Sequence, residues 1–175
     1  METTVTEAEE KRYAELQQMA LEFARRGDTN SLAAMLRAGL PVNLADTRSN
    51  TLLMLASYHG EVETTRMLLQ HGADADCRNG RGQTPLAGAA FKGHEEIVAL
   101  LLAYGAEIEG GNGGGMTPLM FATMFGRTKV VGQLKAHGAS SAGRKMSISA
   151  RLMMRLAWLT RLFRGRKAIQ TITTN

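Results

Sequence analysis

The 175-residue chain carries a single cysteine, Cys77, and a formal charge of +5, so an internal disulfide framework is excluded. Its start, METTVTEAEEKRY, is acidic and is read as no secretory signal, and no apolar run reaches the length of a membrane span. One domain by length, in a reducing compartment and most simply the cytosol, is the expectation. The charge is divided: residues 1–143 hold a net −3, while residues 144–175 hold eight Lys/Arg and no acid.

In chain order, the first six residues suggest no element. A helix is predicted from Glu7 to Arg26, with Tyr13, Leu16, Ala20 and Phe23 on one face and Glu9, Glu10 and Glu15 near the N-terminus, where the helix dipole favours acids. After Gly27, Thr29 or Asn30 is a candidate cap for a second helix carrying Leu32, Met35 and Leu36, ended by Gly39. From Asp46 the pattern repeats: Thr51 opens a helix through Leu53, Leu55 and Ala56, and a second one carries Val62, Met67, Leu68 and Leu69. Thr84-Pro85-Leu86 opens the third pair. Threonine caps orphan N–H groups there, and proline suits the first helical position because its missing N–H costs nothing. Ile97, Val98, Leu100, Leu101 and Leu102 form the apolar run of its second helix. Thr117-Pro118-Leu119 opens the fourth, and Val130, Val131 and Leu134 follow before Gly138.

The units are in register. Thr51, Thr84 and Thr117 are 33 residues apart, as are Gly27, Gly60, Gly93 and Gly126, and again Gly39, Gly72, Gly105 and Gly138. A helix pair with a Gly-rich return cannot bury its faces alone and needs copies on either side. Period and TPL start together resemble the ankyrin-repeat family, with TPLAGAAFKGHEEIVALLLAYGA the best match, over roughly Gln18 to Ala139. The resemblance implies an all-α solenoid of stacked helix-turn-helix repeats, about 12–45, 46–78, 79–111 and 112–143, joined by β-turn or hairpin fingers. The family's usual His after TPL is replaced by Met54, Ala87 and Met120, and Gln18-Met19-Ala20 stands where repeat one would carry TPL.

Chemistry is sparse. His71 and His137 precede helix-ending glycines and His94 follows one, all positions suited to helix ends. No CxxC, HExxH or carboxylate cluster supplies a metal site. The stretch EGGNGGGM, residues 109–116, lacks the Lys-Ser/Thr of a phosphate-binding loop, so it is read as the most mobile finger. A binding protein, not an enzyme, is the expectation, with no cofactor and a monomeric state.

The resemblance implies that inner helices and fingers line a groove that selects a protein partner. The two residues before each inner-helix glycine are its candidates: Arg25-Arg26, Tyr58-His59, Phe91-Lys92 and Met124-Phe125. The fingers add Arg48, Asn50, Arg81, Gln83 and Met116. Cationic at one end and apolar at the other, this series suits an extended or helical partner segment with acids and a large apolar residue. A rival reading comes from small ankyrin proteins of bacteria associated with haem catalases, with Tyr58 and His59 as candidate porphyrin contacts. In residues 149–165, Leu152, Leu156, Leu159 and Phe163 fall on one helical stripe with arginines around it. That segment is read as a lid on repeat four, a contact for an anionic membrane surface, or a contact for an acidic protein; nucleic acid ranks last.

Overall fold

A computed structural model describes residues 6–140. Among them are eight helices: α1 (Glu7–Arg26), α2 (Thr29–Arg37), α3 (Leu52–His59), α4 (Val62–Gln70), α5 (Pro85–Lys92), α6 (Glu95–Ala103), α7 (Pro118–Met124) and α8 (Thr128–Ala136). The odd-numbered helices pack on one another in sequence and form an inner layer; the even-numbered ones form an outer layer. Each inner helix also packs on the outer helix that follows it. This is the stacked solenoid expected from the 33-residue period.

Short-range chemistry sets each unit. The hydroxyls of Thr51, Thr84 and Thr117 accept from the backbone N–H of Met54, Ala87 and Met120 at 3.1, 3.2 and 3.3 Å. Gly27, Gly60 and Gly93 close α1, α3 and α5 in the left-handed conformation, which costs glycine little. Asp28, not Thr29 or Asn30, caps α2, accepting from Ser31 N–H. His71 and His137 turn Nδ1 onto the carbonyls of Met67 and Gln133 at 2.8 and 2.9 Å, satisfying last-turn acceptors as their positions suggested.

Stacking follows from small and apolar residues in register. Ala56, Ala89 and Ala122 are fully buried along the inner layer and let the helices approach closely. Leu53, Leu86 and Leu119 lie beside them, and Leu68, Leu101 and Leu134 fill the outer layer, in one continuous core. At roughly 1.5–3 kcal/mol per fully buried aliphatic side chain, this core is the main favourable term. The missing family histidine leaves no gap, since Met54, Ala87 and Met120 are themselves buried.

Helix α1 departs from the expected apolar face. It runs 20 residues with a Thr6–Glu9 capping box. Only Ala20, Leu21 and Ala24 are buried, while Tyr13, Leu16 and Met19 are exposed. The neighbouring α3 has 8 residues, so the first turns of α1 project past it. No described helix is long and apolar enough to cross a membrane. The stripe in residues 149–165 lies outside the described residues.

Candidate binding groove

Three fingers connect the repeats, each built on one side chain. Asp46 Oδ1 accepts from the N–H groups of Arg48 and Asn50 at 2.8 and 2.9 Å. Asn79 Oδ1 takes those of Arg81 and Gln83, both at 3.0 Å, and Asn112 Oδ1 those of Gly114 and Met116 at 3.0 and 3.2 Å. These residues stand 33 apart, and an Asx side chain replaces the backbone acceptors that a short hairpin lacks. Position 49, 82 or 115 in each finger has positive φ; glycine holds the last two and Ser49, at φ 59°, the first. Adjacent fingers are joined by Gly80 N–H to Arg48 O at 2.8 Å and Asn79 Nδ2 to Asn50 Oδ1 at 3.0 Å.

Asp46 is held below the ordinary aspartate range. Burial pushes its pKa up, but hydrogen bonds from the Asn50 side chain, Asn50 N–H and Arg48 N–H, with the charge of Arg25, outweigh burial. A second ladder, of backbone donors and side-chain acceptors and not anticipated from sequence, links successive repeats. Asn43, Asp76 and Glu109 accept the N–H groups of Asp74, Glu107 and Ser140 in the following repeat.

At the far ends of the inner helices the aromatic side chains meet across repeats. Tyr58 and Phe91 stack with centroids 6.3 Å apart and planes 9° from parallel. Phe91 also makes edge contacts with Phe125 at 4.4 Å and Phe121 at 6.3 Å. Gly88 lies beneath the stack, where a Cβ would sit 3.4 Å from Tyr58 Cδ2, an ordinary contact. The Lys92 ammonium lies over the other part of the patch, 5.0 Å from the Tyr58 centroid. His59, Lys92 and Phe125 are exposed, whereas Tyr58, Phe91 and Met124 are half-buried.

The candidate residues therefore separate by environment. Arg25 pairs with Glu22 and Asp46 at 3.4 and 3.5 Å, and Arg26 pairs with Glu22, so the cations of repeat one are already engaged. Asn50 and Gln83 are half-buried members of the finger scaffold. Arg48 and Arg81 are exposed at the tips. Met116 is a correction: it is buried against Ala87 and Phe121 and offers no surface. The reason is the hairpin return, in which Asn112 N–H bonds Met116 O and turns the side chain inward. The half-buried states of Asn50 and Gln83, two repeats and one repeat earlier, mark the same inward position.

Comparison with known proteins agrees with this architecture. A family description of ankyrin repeats in three copies matches residues 18–112 and 53–145. A Pseudomonas aeruginosa (strain PAO1) protein named as an ankyrin repeat protein is 46% identical over 46 residues, covering 26% of this chain. The match spans 27% of that relative's length.

Proposed function

Since the chain belongs to the ankyrin-repeat family, whose repeats are protein-interaction modules, we propose that it binds a protein segment along the face formed by its fingers and inner helices. The observation that carries this reading is the cross-repeat patch of Tyr58, Phe91 and Phe125 with the Lys92 ammonium over Tyr58. An aromatic cluster with one exposed Phe and one exposed cation has the composition of an interaction hot spot. The cationic residues along this face favour a partner segment bearing carboxylates, and the Phe125 end favours a large apolar residue.

The test is cross-linking capture from the native host with the full chain and with Lys92→Glu and Phe125→Ala. One protein recovered by the parent and lost from both folded variants is the expected result. Equal recovery by all three would remove this face from the binding reaction. The eight cations and no acid of residues 144–175 support a separate contact with an anionic membrane surface. Vesicles of phosphatidylserine and phosphatidylcholine, co-sedimented with the full chain and with a chain ending at Gly143, test that contact.

A further inference from the structure

Arg48 and Arg81 hold the same place in successive fingers, and their surroundings differ from those of most described arginines, Arg12 on α1 excepted. Among the described residues, the guanidiniums of Arg25, Arg26, Arg66, Arg78 and Arg127 each meet a carboxylate or a carbonyl. Those of Arg48 and Arg81 meet neither, and both residues are exposed. Their backbones, by contrast, are pinned. Arg48 N–H donates to Asp46 Oδ1 and Arg48 O accepts from Gly80 N–H, both at 2.8 Å, while Arg81 N–H donates to Asn79 Oδ1 at 3.0 Å. Two like charges on fixed tips of neighbouring fingers add nothing to folding. Fixed tips do lower the ordering cost when a ligand arrives. At the third tip Gly113 and Gly114 present no side chain, so the cationic row stops there.

We infer that Arg48 and Arg81 form a two-point carboxylate clamp that sets the register of a helical partner segment carrying two acids seven residues apart. This rests on the reading that the groove binds a protein segment. The spacing follows from the stack. Packed helices lie about 8–10 Å apart, so equivalent tips are separated by about that distance. Seven residues of α-helix advance about 10.5 Å and return to nearly the same face. An extended segment covers a similar rise in about three residues, but its side chains alternate, so the two acids would point to opposite faces. A helix meets both tips from one side. Arginine suits the task because its planar guanidinium takes a carboxylate through two parallel hydrogen bonds.

Fluorescence anisotropy with the full chain tests the clamp, using labelled helix-stabilised peptides with an apolar pair and two Glu residues seven apart, two Glu four apart, or Gln at both sites. The expected result is about tenfold tighter binding of the seven-spaced peptide, as for one well-made charged pair. That preference should disappear in Arg48→Ala and in Arg81→Ala, with far-UV circular dichroism and the unfolding midpoint unchanged. Equal binding of all spacings, no binding of any peptide, or a preference that survives both substitutions overturns the clamp. So does a duplex DNA probe that binds as tightly and depends on the same two arginines, because the tips would then be reading phosphate. If all three peptides bind alike and lose affinity in Phe125→Ala, the groove reading stands without the clamp. If spacing matters and both arginines matter but Phe125→Ala and Lys92→Glu do not, the clamp stands and the aromatic patch drops out.

Discussion

The imidazole of His94 reaches back one repeat and places Nε2 3.2 Å from the carbonyl of Tyr58. Arg127, 33 residues on, repeats the contact with Nε 3.1 Å from Phe91 O. Both side chains lie directly over the helix-ending glycine of the preceding repeat. A Cβ on Gly93 would fall 2.7 Å from Arg127 Cδ, whereas one on Gly105 would meet nothing within 4 Å. Both glycines have positive φ, 88° and 82°. Gly105→Ala should therefore cost only the left-handed strain, about 1 kcal/mol. Gly93→Ala should cost roughly another 1 kcal/mol, because Arg127 must leave the Phe91 carbonyl. Urea unfolding of the two variants measures the difference. Equal costs would mean that Arg127 moves aside without losing its bond.

Thr65 on α4 is fully buried, and its hydroxyl has no hydrogen-bond partner among the described residues. The same position holds Val98 and Val131 in the next two repeats. Valine has nearly the shape of threonine without the polar atom. Thr65→Val should therefore stabilise the domain by about 1 kcal/mol, the lower end of the cost of an unpaired buried hydroxyl. Thermal unfolding would show a raised midpoint. An unchanged midpoint would mean that the hydroxyl is satisfied by solvent or by a shared backbone acceptor.

What the sequence disclosed was whatever backbone geometry forces into it. Gly60 and Gly93 appear as a period because the left-handed turn after each inner helix rejects other residues, and the capping threonines appear for a similar reason. Asp28 was harder to see as a cap because Thr29 and Asn30 beside it are equally good cap residues, and only the chain path chooses among them. Met116 misled because a residue beside a glycine run looks exposed, while the hairpin return that buries it is set by an Asn112 backbone bond. The ring geometry at Phe91 depends on contacts from repeats two and four. Repeat spacing brings Tyr58 and Phe91 into one column but does not orient them. The projection of α1 was also hidden, since its stripe of Tyr13 and Leu16 has the helical spacing of a buried face.

Asp46 differs from its counterparts Asn79 and Asn112 only in charge, so Asp46→Asn keeps the acceptor that shapes the finger. The substitution removes the ion pair with Arg25, and at neutral pH it should cost about 1 kcal/mol or less, as for a partly exposed pair. The pH dependence is more telling. Because the folded-state pKa is lowered, the contribution is fully present above the unfolded value near 4 and fades as pH falls through the folded value. The stability gap between parent and Asp46→Asn should thus be constant from pH 5 to 7, about one unit and more above that unfolded value, and shrink below it. Denaturant titrations across this range decide it. A gap that persists unchanged in the acid range would show that Asp46 gains nothing from its charge.

Phe91 and Phe125 touch at 4.4 Å, yet they should respond differently to truncation. Phe91 is half-buried and joins three rings from two other repeats, so Phe91→Ala opens a gap in the stack. A loss of about 2–3 kcal/mol of stability is expected, below the range for a fully buried Phe. Phe125 is 44% exposed and contributes mainly its edge contact, so Phe125→Ala should cost about 1 kcal/mol. Lys92→Glu replaces an exposed cation resting on Tyr58 and should cost less than 1 kcal/mol at such a site. The last two are therefore the clean probes of binding: each should weaken a captured partner about tenfold or more while leaving most of the fold's stability intact. Phe91→Ala cannot separate the two effects, because the ring that offers a surface to a partner also joins repeats two, three and four. If Phe125→Ala unfolds the domain as severely as Phe91→Ala, the patch belongs to the stack and not to the surface.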